Sequence, residues 1–190
     1  MRNLAEELRK SVSLAPEDEA NEYFRMSQER EPFKNWSPQP ESDFRWGETL
    51  MGEDSPTGKP IAYVNQQKFE KGLGREVTPE MREKYFTSES IHNLKNVDEN
   101  LYNNLLNSAL KNPEYQKWME DSYKYSQEDY GENRPIEDWH KDSRFDQVIG
   151  GYLYAGDEDF PTMTDWTRDM PGFSGDFLDE LENLRQQMGY

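Results

Sequence analysis

Apolar residues recur at helical spacing at both ends of the chain, and this pattern predicts an amphipathic helix at each end. Near the N-terminus, the residues that share one helical face are Leu4, Leu8 and Val12. Near the C-terminus, a 4-3-4 spacing joins Phe177, Leu181, Leu184 and Met188. Asn3 can cap the first helix, and Ser174 or Asp176 begins the last one.

Between these ends, helix-start signals predict several further short helices. A second helix begins near Pro16 and ends before Pro32. Thr78-Pro79-Glu80 and Asn112-Pro113-Glu114 each place a capping side chain before a proline and an acid, which is a strong helix start. Residues 78–130 hold the densest aliphatic cluster of the sequence, so we expect the core there.

The sequence offers little β structure. Residues 61–64 (Ile-Ala-Tyr-Val) form the one plausible strand, and no hairpin mate is obvious for it. Gly150-Gly151 predicts a break in the chain, after which residues 152–154 are expected to be extended.

Residues 32–60 combine five prolines with spaced aromatic rings, which predicts extended backbone. The rings are those of Phe33, Trp36, Phe44 and Trp46. One interpretation is an arm that lies along a partner protein, and the other is a surface loop whose rings fold back on the chain's own core. The length of the segment favours neither strongly.

Together these patterns predict a mainly α fold with short helices, Pro/Gly-rich extended connections and little β structure, elongated or partly non-globular. We divide the sequence into an N-terminal helical arm (1–31), a Pro/aromatic-rich extended segment (32–77), a helical core (78–149), and an acidic loop with the C-terminal amphipathic helix (150–190).

Composition changes this interpretation, because aliphatic side chains are scarce and aromatic ones are not. Leu, Ile and Val make up 12% of the residues, whereas aromatic residues make up 13%. A chain so poor in aliphatic side chains approaches the composition of disordered proteins. We therefore expect it to obtain part of its burial from neighbouring proteins, through its rings.

The charge excludes some classes of function. The net charge is -17, and residues 121–190 carry 17 acids against 6 bases. Direct binding to nucleic acid needs a basic surface, so we do not expect it. The sequence contains no cysteine, no apolar run long enough for a membrane span and no secretory signal.

Candidate chemistry is weak throughout. His140 lies among Glu137, Asp138 and Asp142, which would suit a base oriented by carboxylates, but no nucleophile is indicated and a solvated helix end is the favoured interpretation. Asp157, Asp159 and Asp165 could form an irregular cation site, although no EF-hand spacing fits. No nucleotide-binding or nucleophile motif occurs. We predict no catalytic residue, no metal and no cofactor.

We therefore expect a non-enzymatic interaction protein of a large assembly. The residues predicted to bind partner subunits are Phe33, Trp36, Phe44, Trp46, Trp139, Trp166, Phe177, Leu181, Leu184 and Met188. Composition, rather than any motif, resembles minor virion proteins of bacteriophages, which implies a capsid, portal or tail interface and assembly in the host cytoplasm. Its partners would be other protein subunits, with neither nucleic acid nor membrane bound directly. The alternative is an acidic inhibitor that mimics DNA, and an enzyme of unrecognised type ranks third.

Overall fold

A computed structural model describes residues 3–28, 47–52, 55–140, 145–154, 157–160 and 172–189. The fold is mainly helical with one small sheet. It contains two compact units. The sheet unit comprises residues 6–93 and 158–161, and the helical unit comprises residues 1–5, 94–157 and 162–190. Both units join segments that the sequence-based division separates.

The N-terminal elements lead into the sheet unit, whose three strands have the order β1-β3-β2. In chain order the elements are α1 (Leu4–Ser11), β1 (Ser13–Leu14), α2 (Glu17–Gln28), β2 (Gly47–Leu50), β3 (Ile61–Val64), α3 (Gln66–Leu73), α4 (Pro79–Ser90) and a 3-10 turn (Ile91–Asn93). β1 pairs with β3 in parallel and β2 pairs with it in antiparallel register. All four residues of β3 are buried, so this strand is the centre of the unit.

Rings supply much of the packing around this sheet. Tyr23 on α2 stacks on Tyr63 of β3 with ring centroids 4.2 Å apart. The hydroxyl of Tyr23 donates a hydrogen bond to Glu48 on β2. Ala20 and Phe24 complete the buried side of α2 against the sheet. Aromatic area therefore replaces the aliphatic side chains that the composition lacks.

A four-residue segment from the C-terminal part of the chain completes the sheet unit. Phe160 makes edge-to-face contacts with Phe69 and Tyr85, which stack on each other with centroids 3.6 Å apart. The preceding Asp159 forms ion pairs of 2.8 Å with Arg75 and 2.5 Å with Lys84. Its carbonyl accepts a hydrogen bond from the Tyr85 hydroxyl. We call residues 158–161 the return segment.

The helical unit packs helices around a second aromatic core. Its elements are α5 (Leu94–Val97), α6 (Glu99–Lys111), α7 (Pro113–Tyr130), α8 (Ile136–Trp139), α9 (Phe145–Leu153) and α10 (Gly175–Gln187). α6 packs against α5, α7 and α10, while α9 packs against α10. Tyr115 lies at the centre, fully buried, with Phe145, Phe173 and Phe177 around it.

The capping predictions at Thr78 and Asn112 are confirmed, whereas Ser174, which begins α10, makes no side-chain capping hydrogen bond. The Thr78 hydroxyl accepts a hydrogen bond from the Met81 amide, and the Asn112 side chain accepts one from the Tyr115 amide. Leu4, Leu8 and Val12 are all buried, as their spacing predicts.

Other predictions are wrong. Gly150-Gly151 does not break the chain, because α9 continues through both glycines to Leu153. Ile61–Val64 does have mates: β1 arrives from near the N-terminus, and β2, which lies inside the predicted 32–60 segment, joins β3 in antiparallel register through the long connection 51–60. α3 was not predicted, although Asn65 caps it and Gly74 ends it in the left-handed conformation with φ of 67°.

Candidate functional site

The last helix, α10, has an apolar side and a polar side, and the apolar side faces its own unit. The 4-3-4 stripe is buried as predicted, with Phe177, Leu181 and Leu184 at most 1% exposed and Met188 at 6%. This side packs against α6 and α9. The amphipathic helix is thus satisfied within the chain and presents its polar side outward.

The predicted partner-binding residues divide into two groups. Interior residues of the chain are Trp139, Phe177, Leu181, Leu184 and Met188. Outside the described residues lie Phe33, Trp36, Phe44, Trp46 and Trp166. Helical spacing alone does not distinguish a helix that packs on its own chain from one that packs on a partner. The interior group has a packing role that needs no partner, and partner contact through either group stays a prediction.

The polar side of α10 carries four carboxylates, none of which forms an ion pair among the described residues, although Arg185 lies one turn after Glu182 on the same helix. They belong to Asp176, Asp179, Glu180 and Glu182. No ion pair of the described ranges includes any of the four. By contrast, the α7 charges are paired at i,i+4 spacing, as Lys117–Asp121 and Lys124–Glu128. α10 therefore carries four carboxylates that no ion pair among the described residues neutralises.

Neutral hydroxyls orient two of these carboxylates. Ser108 on α6 donates to Glu180 Oε1 at 2.8 Å. Tyr152 on α9 donates to Glu182 Oε1 at 2.5 Å. Burial, the hydrogen bond to Glu182 and the negative charge of Glu182 together raise the pKa of Tyr152 to about 12, so this donor is uncharged at neutral pH. The hydroxyls fix the direction of the carboxylates without neutralising them.

A groove lies between α6 and α10, with a volume of about 360 Å³. Its lining consists of one aliphatic side chain, four amides and one carboxylate: Leu101, Asn104, Asn183, Gln186, Gln187 and Glu180. Asn104, Asn183 and Gln186 are exposed and thus accessible to a ligand. Amides both donate and accept hydrogen bonds, so the groove suits a polar ligand that does both.

Glu180 is one of the four α10 carboxylates and also lines the groove. Its Oε1 is held by Ser108, whereas its Oε2 is buried and has no hydrogen-bond partner within the described part of the chain. A buried carboxylate oxygen without a donor is unfavourable, and a cationic donor satisfies it best. We call the groove lining together with Ser108 the α6–α10 site.

Sequence reasoning missed the α6–α10 site. A signal was present, because Glu180, Asn183 and Gln187 repeat at i, i+3 and i+7 beside the apolar stripe. Asn104 and Ser108 stand four residues apart on α6.

His140 offers no open catalytic arrangement in the described residues. His140 is 2% exposed, so the predicted solvated helix end is wrong. Its Nε2 is hydrogen-bonded to the Tyr115 hydroxyl, and Phe145 packs beside its ring. Glu137 and Asp138 are exposed instead of surrounding it. Tyr115 on α7 and Phe145 on α9 pack against this histidine, which the local run of charges does not indicate.

The candidate cation site does not assemble from the residues that can be placed. Asp159 binds Arg75 and Lys84, and Asp165 lies outside the described residues. Across the described ranges, no three His, Asp or Glu side chains are grouped as metal ligands. No helix in those ranges is both long and apolar enough to cross a membrane.

Comparison with known proteins finds no match: no protein family, no curated protein and no solved structure matches this chain.

Proposed function

We propose that this chain is a non-enzymatic interaction protein of a larger assembly, and that it binds a basic segment of a partner protein through the polar side of α10. The observation that supports this most is the set of four α10 carboxylates that form no ion pair within the described part of the chain. Such a surface attracts cationic partners and speeds their encounter.

The orientation of Glu180 and Glu182 supports binding over mere solubility. An exposed ion pair contributes little, because water screens it and both side chains lose freedom. A carboxylate that a hydroxyl already holds loses less freedom on binding, so its pairing with a partner cation is more favourable. Ser108 and Tyr152 provide this orientation from α6 and α9.

The narrower part of the proposal concerns the assembly. The composition favours a minor bacteriophage virion protein at a capsid, portal or tail interface. Since β2 and the residues that follow it belong to the sheet unit, the aromatic arm in this proposal is confined to residues 32–46, whose rings contact a neighbouring subunit, which makes the protein partly non-globular. The scarcity of aliphatic residues supports this, as does the proline and aromatic content of that segment.

A DNA-mimic inhibitor is the second candidate, since α10 presents carboxylates from a packed helix. Glu180 is held toward α6 and Glu182 toward α9. This divergence fits a line of phosphates less well than it fits a partner that wraps the helix. The second candidate therefore predicts a nucleic-acid-binding enzyme as the partner, and the first predicts a structural subunit.

The test is carboxyl-to-amine cross-linking of the assembled complex with a zero-length carbodiimide, followed by mass spectrometry. We expect lysines of one partner subunit to couple to Asp176, Asp179 or Glu182. The variant D176N/D179N/E182Q should lose these cross-links and most of the co-purification with that subunit. A matched variant, E120Q/D121N/E128Q, removes three acids from α7 and should retain both.

Two results would contradict the proposal. One is a partner that stays bound to the α10 variant but not to the α7 variant. The other is a purified particle that contains the expected structural proteins and lacks this chain. If the captured partner is a nucleic-acid-binding enzyme whose DNA binding the chain inhibits, the second candidate replaces the first.

A further inference from the structure

The α6–α10 site is built from two helical rows that face each other. On α6, Leu101, Asn104 and Ser108 repeat at i, i+3 and i+7. On α10, Glu180 and Asn183 begin a row with the same spacing. Such spacing places side chains along one line of a helix, and the hydrogen bond from Ser108 to Glu180 connects the two lines.

The four side-chain amides of the site are not used in the protein's own hydrogen bonds among the described residues. Within the described residues, no hydrogen bond includes the side chains of Asn104, Asn183, Gln186 or Gln187. They therefore present donors and acceptors to whatever enters the groove. The buried Oε2 of Glu180 adds an acceptor that lacks a donor.

These groups match a guanidinium better than an ammonium. The Glu180 carboxylate can accept an N–H of a planar guanidinium, and the amide oxygens of Asn104 and Asn183 on the two walls are further acceptors for its remaining N–H groups. An ammonium has three donors and a more tightly held hydration shell, so it gains less. The side chain of Leu101 offers an apolar surface for the aliphatic stem of an arginine.

A sugar is a poorer match for the same groove. Carbohydrate hydroxyls also pair with amides and carboxylates, but pyranose rings bind most favourably against an aromatic ring. No aromatic side chain is among the lining residues that the structure describes. The negative charge of α10 likewise favours a cation over a neutral ligand.

We infer that the α6–α10 site binds an arginine side chain of the partner's basic segment, with the Glu180 carboxylate as the anchor and the amides of Asn104 and Asn183 as further contacts. This inference rests on the proposed function and names the residue type that the site recognises. The groove volume of about 360 Å³ accommodates a single side chain with its flanking backbone outside.

The test is an NMR titration of the full chain with three blocked tripeptides, Ac-Ala-Arg-Ala-NH2 and its lysine and citrulline counterparts. We expect the arginine peptide to shift the side-chain NH2 signals of Asn104 and Asn183. It should bind at least about fivefold more tightly than the lysine peptide, since only the guanidinium reaches both walls. Citrulline keeps the shape but removes the charge, so it should bind about tenfold more weakly.

Variants separate the anchor from general charge. E180Q should weaken binding of the arginine peptide about tenfold, because a charged hydrogen bond is replaced by a neutral one. D179N removes an exposed carboxylate one residue away that does not line the groove, and it should change the affinity less than twofold. N183A replaces an exposed side chain, so the protein should stay folded while the preference for arginine over lysine falls.

Three outcomes would overturn the inference: equal affinity for arginine and lysine peptides, shifts confined to residues outside the groove, or equal weakening by E180Q and D179N. Failure here is distinguishable from failure of the proposed function. If D176N/D179N/E182Q abolishes assembly while the arginine peptide leaves Asn104 and Asn183 unshifted, the acidic surface binds its partner without an arginine pocket.

Discussion

The hydroxyl of Tyr115 and Nε2 of His140 share a hydrogen bond inside the helical unit. Both residues are at most 2% exposed, and Phe145 contacts the rings of both. A polar pair in this position needs its partners, because water does not reach it to replace them.

Y115F should therefore destabilise the helical unit. It removes one side of the pair and leaves the imidazole nitrogen without that bond, which costs about 1–3 kcal/mol in the free energy of unfolding. Urea denaturation followed by far-UV circular dichroism measures the loss. The control is Y125F, which removes a hydroxyl from a half-exposed ring on the same helix. An equal change in both variants would contradict a structural role for the buried pair.

D159N should loosen the sheet unit. Asp159 pairs with Arg75 and Lys84, and its side chain is 19% exposed, so losing its charge should cost about 1–3 kcal/mol. Hydrogen exchange at the amides around Phe69 and Tyr85 should become faster. The neighbouring exposed Glu158 supplies the control, and E158Q should leave exchange unchanged. Unchanged exchange in D159N would show that Phe160 alone holds the return segment.

Substitutions of Asn112 should separate the contributions that its two hydrogen bonds make to stability. Its Oδ1 caps α7 by accepting from the Tyr115 amide, and its Nδ2 donates to the Ser174 carbonyl before α10. N112A loses both and should cost about 2 kcal/mol. N112D keeps the cap but places a carboxylate against that carbonyl, so we expect an intermediate loss. Thermal melts of the two variants measure this order, which would reverse if the Ser174 contact dominated.

Stability should fall at alkaline pH. Burial raises the pKa of Tyr102 to about 12. The pKa of Tyr152 is also raised to about 12, and the ordinary value for tyrosine is 10.0. Above pH 10 the unfolded chain loses these protons while the folded chain keeps them, so stability is full below pH 10 and decreases toward pH 12. Urea titrations at steps between pH 9 and pH 11.5 test this. Y152F should show a shallower decrease than the parent, and a slope independent of Tyr152 would contradict the assignment.

The aromatic arm gives a prediction that rests on sequence alone. If residues 32–46 contact a partner, W36A/W46A should weaken assembly more than it lowers the melting temperature of the isolated chain. Sedimentation of the assembled complex and calorimetry of the free protein provide the two measurements. Equal effects in both would mean that these rings belong to the chain's own core.

Local signals in the sequence were sufficient for much of the helical fold. Asn112 and Thr78 predict where α7 and α4 begin, because capping depends on only a few adjacent residues. The stripe from Phe177 to Met188 is equally local, since its spacing fixes the buried side of α10. The prediction of little β structure is also confirmed, because few segments of the sequence alternate between apolar and polar residues.

Long-range packing explains what the sequence did not reveal. Gly150-Gly151 remains helical because Val148, Ile149 and Leu153 are buried around it, so tertiary packing outweighs glycine's low helix propensity. β1 pairs with β3 although 47 residues separate Ser13 from Pro60, whose backbone groups share a hydrogen bond. The α6–α10 site needs two helices that are distant in sequence, and no local pattern specifies which polar residues meet.

The return segment is synthesised well after the rest of the sheet unit, which delays completion of that unit's core. Tyr85 and its contact Asp159 are separated by 74 residues, which a ribosome takes about 4–15 s to add. Throughout that interval the nascent sheet unit lacks the ring of Phe160 over Phe69 and Tyr85. Translation that stops before residue 158 therefore releases a polypeptide whose N-terminal half cannot complete its own interior.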